Sequence, residues 1–380
     1  MNPTKSNTSG NRSGNATLPA GGRGRTGRQT PDGFEQRLLT RARAAGFSAH
    51  DRIVVGFSGG RDSLALAAAL RWVQASLGVE PVLVHVDHRL RASSADEARL
   101  AAILAESINL EFHAVSASAP PTGVHPGVGI EEAARRERYR CLLEVAVGCG
   151  ARAVATAHHR DDQAETVLLH LFRGAGVHGA AGMAERASSP FPDPGSHRDI
   201  SPENRGTDAW LWRPLLNEPR EVIEAYVGKL GLAPVEDPSN KDTALRRNAL
   251  RHEVLPVLEM YFPGAATALA RYAALAADDD HALQELAIPV MRAGVDPGGR
   301  LAVASLRAHP PAIQRRVVRS WVEETTNANW LTAERTDAVL MLARSRRSGP
   351  ALEIGEGWTV RLERGMLSVE RMASRHEESS

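Results

Sequence analysis

Short apolar runs with β-branched residues recur along the first half of the chain, separated by longer stretches of helical periodicity. Ile53, Val54 and Val55 make the first run, which predicts a buried strand. From Ser63 an alanine- and leucine-rich stretch predicts a helix. Residues 82–86, 110–115 and 153–157 give three more strands, with a helix expected over about 131–147. Strands alternating with helices of this length predict an α/β fold, a Rossmann-like parallel sheet with right-handed crossovers. Ligands of such sheets gather beyond the carboxyl ends of the strands.

Further along, strand character returns at residues 210–212 and stops at Pro214, and residues 217–230 read as a helix. Residues 260–345 are alanine- and leucine-rich with helical periodicity and carry Arg315, Arg316, Arg319, Arg344, Arg346 and Arg347 beside Trp321 and Trp330. Residues 351–354, 358–362 and 366–370 alternate apolar and polar positions around glycine turns, which predicts a small antiparallel sheet. The expected organisation is a disordered arm over 1–33, a nucleotide-binding α/β domain over 34–218, a linker helix and basic motif over 219–258, and a smaller helical-plus-antiparallel-β domain over 259–375. The arm carries almost no large apolar side chain, so it cannot offset its ordering entropy. Residues 185–209, rich in Pro, Ser, Asp and Gly, are expected to form a flexible loop or lid. A helix is expected over 34–45 and a capped turn over 236–242.

Composition changes this picture little. A chain of 380 residues, 42% hydrophobic, suits two or three soluble domains, and a net charge of +1 neither favours nor opposes nucleic acid as a partner. The two cysteines, Cys141 and Cys149, match no metal or redox spacing and suit a reducing cytoplasm. No apolar run approaches the roughly 18 residues of a membrane span. The N-terminus has no secretory h-region. A cytoplasmic protein without membrane contact is the expectation.

Candidate chemistry lies at three strand ends. After the first strand come Ser58, Gly59, Gly60, Arg61, Asp62 and Ser63; after the second, His85, Val86, Asp87 and His88; after the fourth, His158, His159, Arg160, Asp161 and Asp162. A strand, glycine turn and helix aims backbone N–H groups and a helix dipole at one spot, which suits a phosphate. Neither the Walker A pattern nor G-x-G-x-x-G fits. Asp62 beside an anion cradle requires a cation, Mg²⁺ or an ammonium group. On the fourth-strand helix, Asp162, Glu165 and Thr166 share one face by their spacing. Arg173, Gly174 and Gly176 suit a second backbone anion site, and Arg246, Arg247, Asn248, Arg251 and His252 cluster where a helix begins, as a stripe for phosphates or a salt-bridged face.

S-G-G-x-D-S after a strand resembles the signature of the PP-loop ATP pyrophosphatases, which implies ATP cleaved between its α and β phosphates. Over about residues 52–258 the chain is similar to the tRNA(Ile)-lysidine synthetases, PP-loop ligases. The matching stretches are VGFSGGRDSLAL, HVDHRLRASSADEA, GIEEAARRERY, ATAHHRDDQAET, RGAGVHGAAGM, RPLL and EDPSNKDTALRRNALRHEVLP, in the family's order. The resemblance implies that ATP, with Mg²⁺, adenylates C2 of the wobble cytidine of an isoleucine tRNA with a CAU anticodon. L-lysine then displaces AMP to form lysidine. It further implies ATP binding by Ser58, Gly59, Gly60, Arg61, Asp62, Ser63, Val86, Arg173 and Gly174, with Asp62 assisting Mg²⁺. Lysine binding falls to Asp62, Asp162 and Glu165, and catalysis to these acids with His158 and His159. Arg246, Arg247, Asn248 and Arg251 would contact tRNA, with the C-terminal domain as a further tRNA-binding unit. The family often has an aromatic residue where Leu245 stands.

Two other readings remain at this point. A PP-loop tRNA thiolation enzyme would use cysteines to carry sulfur or hold an iron–sulfur cluster, which Cys141 and Cys149 fit poorly. A non-catalytic tRNA-binding module would need the basic patches but not Asp62, Asp162 and Glu165 together. Oligomeric state is open, a homodimer being one option.

Overall fold

The computed structural model of the chain describes residues 33–87, 94–117, 130–187, 209–235, 243, 245–326, 331–345 and 351–372. Helix α1 (Gly33–Ala44) buries Phe34, Leu38, Leu39 and Ala42, the i, i+4, i+5, i+8 stripe of an amphipathic helix. Strand β1 (Arg52–Gly56) is followed by α2 (Arg61–Leu77), and β2 (Glu80–Asp87) by α3 (Ser94–Ser107). After β3 (Glu111–Ser116) come α4 (Ile130–Cys149), β4 (Ala153–Ala155) and α5 (Arg160–Phe172). The short α6 (Val177–Ala180), β5 (Arg186–Ala187) and β6 (Trp210–Trp212) complete the first unit.

Its sheet runs β3-β2-β1-β4-β6-β5 among the described residues, parallel throughout except where β5 pairs antiparallel with β6. Period-2 alternation divides β1 between two cores: Ile53 and Val55 face Leu64, Leu66 and Trp212, while Val54 faces Val82, Leu142 and Leu211. Both faces are therefore covered, as a parallel sheet requires. Phe47 closes one face against Trp212, with ring centroids 4.8 Å apart. Because β2 lies on one side of β1 and β4 on the other, the connections leave β1 in opposite directions. A crevice opens at the carboxyl ends of these two central strands.

Helix α7 (Arg220–Leu230) covers the α2 side. A second helical path follows: α8 (Arg246–Ala249), a wide π-turn (Leu250–Val254) and α9 (Leu255–Tyr261). The long α10 (Ala265–Gly294) then carries the chain to β7 (Leu301–Ala302), α11 (Val303–Arg307), α12 (Pro311–Thr326) and α13 (Ala333–Arg344). Strands β8 (Leu352–Gly355), β9 (Trp358–Glu363) and β10 (Met366–Arg371) make an antiparallel sheet in the order β7-β10-β9-β8. Its core holds Met291, Val317, Val318, Trp321, Val339, Ile354, Val360 and Leu367.

Four details differ from the sequence reading. Arg186–Ala187, expected in a loop, pair with β6 as an edge strand. Two residues are too few to show a period. Leu301–Ala302 likewise extend the C-terminal sheet unannounced. The helix expected from 217 begins at Arg220, because Pro219 takes the extended N-cap conformation. Strand residues expected at 156–157 lie beyond β4, which ends at Ala155. The expected arm over 1–32, the loop residues 188–208, the turn at 236–242, His88, Trp330, Arg346 and Arg347 lie outside the described residues.

Trp321 is 1% exposed and its indole N–H donates to the Gly299 carbonyl at 2.9 Å. Trp321→Ala should lower the stability of the C-terminal unit by about 3–5 kcal/mol in urea unfolding. A loss under about 1 kcal/mol would show that the core is centred elsewhere.

Candidate active site

The turn from β1 to α2 sits at the crevice. Gly59 has φ +75°, and a Cβ there would lie 2.9 Å from Val235 Cγ2, so only glycine fits without strain. Val235 donates its N–H to the Gly59 carbonyl at 2.9 Å, which pins the chain after α7 over the turn. Gly60 is the N-cap of α2 and supplies no side chain to cap it. The Ser63 hydroxyl donates to the Gly60 carbonyl at 3.0 Å, and Ser58 Oγ lies 3.2 Å from Ser63 Oγ. Two hydroxyls and the first amides of α2 thus converge on one spot, an arrangement suited to a phosphate. Arg61 turns away and pairs with Glu224 of α7.

Beside this turn, β4 delivers His158 and His159 to the start of α5. His159 is 2% exposed. Its Nδ1 accepts from the Asp161 backbone N–H at 3.2 Å while the backbone N–H of His159 donates to Asp162 Oδ2 at 2.9 Å, a reciprocal cap. An accepting Nδ1 leaves the proton on Nε2. That Nε2 points between two carboxylates, 3.5 Å from Asp162 Oδ2 and 3.8 Å from Asp62 Oδ2. The cradle turn and the acidic helix therefore meet across one imidazole. His158 lines the crevice, with Nδ1 2.9 Å from Thr156 Oγ1. Burial holds it well below the usual imidazole range, with Asp162 opposing and nearby arginines reinforcing the shift, so it is neutral at pH 7.

The two acids in the crevice are tuned in opposite directions. Burial raises Asp62 above the ordinary carboxylate range, His159 opposing and the Asp162 charge adding to the shift. Burial would raise Asp162 as well, but His159, Arg247, His158 and Arg251 outweigh it and hold this acid far below that range. The two arginines come from the helical path that opens at Arg246. Arg251 bridges Glu165 Oε1 at 2.6 Å and Asp162 Oδ1 at 2.7 Å, and Arg247 Nε donates to Glu165 Oε2 at 2.8 Å. Glu165 is fully buried, and Leu250 and Leu255 pack nearby on Ala164 and Leu168.

Four of the expected site residues are engaged within the protein. Glu165, expected to touch an amine substrate, is walled off behind Arg247 and Arg251, which neutralise it because a buried lone carboxylate is unaffordable. Arg247 and Arg251, expected to face RNA, spend their guanidinium groups on that acid and on Asp162. His159, to which the resemblance gives a part in catalysis, is a buried helix cap whose Nε2 points at Asp62 and Asp162. Arg246 remains exposed on the crevice wall and Asn248 is buried there. Val86, Arg173 and Gly174 also line the crevice, and Gly174 has φ +75°.

The crevice widens into a cleft of about 2460 Å³ that continues from Ser58 and Ser63 to α10 and α12 of the C-terminal unit. His178 of α6 and Asp280 of α10 join the two units, with Nδ1 to Oδ2 at 2.9 Å, and Arg316 of α12 holds the other oxygen of Asp280 at 2.7 Å. Sequence reasoning missed this bridge, whereas His85, read as candidate chemistry at a strand end, has its Nδ1 3.1 Å from the Phe57 carbonyl at the head of the cradle. His85 had a signal, its place at a strand end. Asp280 had none, lying in a run of three aspartates. Among the described residues, no group of three or more His, Cys, Asp or Glu side chains could by itself hold a metal. No described helix is long and apolar enough to cross a membrane.

Comparison with known proteins adds family evidence. A PP-loop domain model matches residues 33–258, and a TilS substrate binding domain model matches residues 301–368. Proteins named tRNA(Ile)-lysidine synthase are similar at 43% identity in Salinispora tropica, over 72% of this chain and 76% of that one, and at 40% in Salinispora arenicola, over 83% and 90%. The Geobacter sulfurreducens protein of the same name is 38% identical over 72% of this chain, which spans only 55% of that relative's length. Among solved structures, a U34-tRNA thiolase from Methanococcus maripaludis, described with a [4Fe-4S] cluster, has a TM-score of 0.50 at 16% identity, covering 64% of this chain and 78% of that one. That likeness concerns the fold alone.

Asp162 sets a pH dependence. Its folded value lies below the unfolded one near 3.9, so its contribution to stability is fully present above about pH 4 and is lost as pH falls further. Acid unfolding of Asp162→Asn, followed by tryptophan fluorescence, should show a shallower loss of stability below about pH 4 than the parent. Superimposable acid limbs would contradict the assignment.

Proposed function

As this chain belongs to the tRNA(Ile)-lysidine synthase family, we propose that it uses ATP to adenylate C2 of the wobble cytidine of tRNA(Ile) with a CAU anticodon, then joins L-lysine there, releasing pyrophosphate and AMP. The observation that carries the reading is the His159 imidazole, within 3.8 Å of the carboxylates of both Asp62 and Asp162. It places acids that can capture an amine beside a turn that can cradle a phosphate.

In this reading the amides of the β1–α2 turn, with Ser58 and Ser63, hold the triphosphate. The glycines at 174 and 176 offer a second backbone approach, since a Cβ at either would meet nothing within 4 Å. Asp62 presents a half-exposed carboxylate to the cleft. A hard oxygen donor of this kind fits Mg²⁺, which takes one or two carboxylates and completes its shell with phosphate and water. When bound, Mg²⁺ supplies neutralisation of the pyrophosphate leaving group.

The ammonium of lysine is attracted to Asp62 and to the edge of Asp162 that faces the cleft. Asp162, held ionised, anchors the cation. Asp62, on the other side of the His159 imidazole, faces the same amine from the cleft. Neutral His158 lies on the cleft wall and orients the base or the adenylate by hydrogen bonding rather than by charge. His159 holds the two acids in register. Arg247 and Arg251 secure the acidic helix, and RNA contacts fall to Arg246 and to the C-terminal unit. We assign residues 34–218 to nucleotide chemistry and 259–375 to tRNA binding, and place the work in the cytoplasm.

A sulfur-transfer reading is not favoured. Cys141 is buried in α4, and burial pushes its thiol up to about 11. Cys149 ends α4, and its carbonyl accepts from Arg52 at the opposite edge of the sheet from the cleft.

Incubation with ATP, Mg²⁺, labelled lysine and transcripts differing only at the wobble base should place label solely in the cytidine-bearing transcript. Asp62→Asn should reduce lysine-dependent AMP release by about 10²-fold or more while tRNA binding stays within about twofold. Labelling without regard to the wobble base, or AMP release unaffected by Asp62→Asn, would overturn the reading.

A further inference from the structure

The three arginines on the polar face of α12 are not equivalent. Arg315 is exposed and tied to Asp337 of α13, with Nε to Oδ1 at 2.7 Å. Arg316 is tied to Asp280 of α10 at 2.7 Å. Arg319, one helical turn beyond Arg315, lines the same cleft as Ser58, Ser63 and Asp162, yet among the described residues no carboxylate lies within ion-pair distance of it. Asp280, the acid that acts most strongly on Arg319, is already shared between His178 and Arg316. Burial lowers the proton affinity of Arg319, with Asp280 and Glu323 opposing and the neighbouring Arg316 charge adding to the fall.

A half-buried guanidinium without a counter-ion is costly, and a protein retains one where an incoming anion completes it. The planar fork of five N–H donors suits the two free oxygens of a phosphodiester. The side of Arg319 away from solvent is fixed by Val317, Val318, Trp321 and Val322, which anchor α12 in the C-terminal core. The adjacent wall is fixed too, because Gln284 of α10 donates to Ser320 Oγ at 2.8 Å. A rigid helix therefore holds over the cleft a cation with no ion-pair partner among the described residues.

We propose that Arg319 is a positioning residue that takes one backbone phosphate of the RNA substrate and thereby sets where the wobble nucleotide lies in the cleft. The inference rests on the function proposed above. Arg315 and Arg316 are neutralised within the protein and contribute structure. The Arg316–Asp280–His178 bridge fixes the distance from this phosphate site to the loop that follows Arg173.

The same chemistry could serve a phosphate of ATP, and steady-state and binding measurements on the full chain separate the two. Arg319→Gln should weaken tRNA binding by about tenfold near 0.15 M salt, reduce the slope of log K against log salt by about one, and leave the KM for ATP unchanged. Arg319→Lys, which keeps the charge, should restore the slope but not the full affinity. Arg315→Gln should change neither by more than about twofold. A purely structural role would lower affinity without changing the salt slope, and so would overturn the proposal. An unchanged affinity, or a raised KM for ATP in place of the RNA effect, would overturn it as well. If Arg319→Gln does not fold, Arg319→Lys decides: parental affinity together with parental slope would contradict a forked phosphate contact. Failure of the parent protein to transfer lysine would instead count against the proposed function, leaving the comparison of RNA salt slopes to stand by itself.

Discussion

The arrangement depends on one buried electrostatic cluster, in which Glu165 and Asp162 of α5 are held by Arg247 and Arg251. Glu165 lies in a place where an unpaired carboxylate would cost several kcal/mol, on the order of its desolvation penalty. The two guanidinium groups satisfy it only because the helical path from Arg246 passes over α5 at the right height. Residues 247 and 251 stand one turn apart, and the wide π-turn that begins at Leu250 lets Leu250 and Leu255 reach the apolar patch of Ala164 and Leu168. Packing and charge thus fix the same contact, and the chain after the sheet becomes the far wall of the site.

From that contact the tuning of the acids follows. Against burial, His159 and then Arg247, His158 and Arg251 make the ionised form of Asp162 the stable one, and the resulting negative charge adds to the burial that raises Asp62. Two carboxylates sharing one imidazole thereby acquire opposite proton affinities. His159 pairs them geometrically while capping α5, so the helix start and the reaction centre are one structure. The same economy appears at Gly59, where a positive φ opens the cradle and its carbonyl ties down Val235.

What was legible in the sequence was local. The turn at Ser58–Ser63 declares itself because strand, glycines and helix start are contiguous, and the shared face of Asp162 and Glu165 follows from spacing along one helix. What the sequence concealed was distant. Glu165 meets its arginines across separations of 82 and 86 residues, so its burial and its pairing could not be read from α5 alone. His178 and Asp280 are 102 residues apart, and no local pattern distinguishes Asp280 from its two aspartate neighbours. The resemblance treats His158 and His159 alike, whereas tertiary structure turns one ring to the cleft and makes the other a cap. The basic stripe on α12 was visible, but which of its arginines lacked an acid was not, since Asp280 and Asp337 come from other helices.

The most direct test is a double-mutant cycle between Glu165 and Arg251, read on both unfolding free energy and lysine-dependent turnover. Each single Gln substitution should cost about 3 kcal/mol of stability by breaking the buried cluster, although Arg247 still faces Glu165 and Asp162 still faces Arg251, and the double variant should cost less than the sum of the two by a coupling of about 2 kcal/mol or more. Turnover should fall by the same order in all three. Additive losses, with coupling below about 0.5 kcal/mol, would contradict the account, because the wall of the site would then be held by something other than this ion cluster.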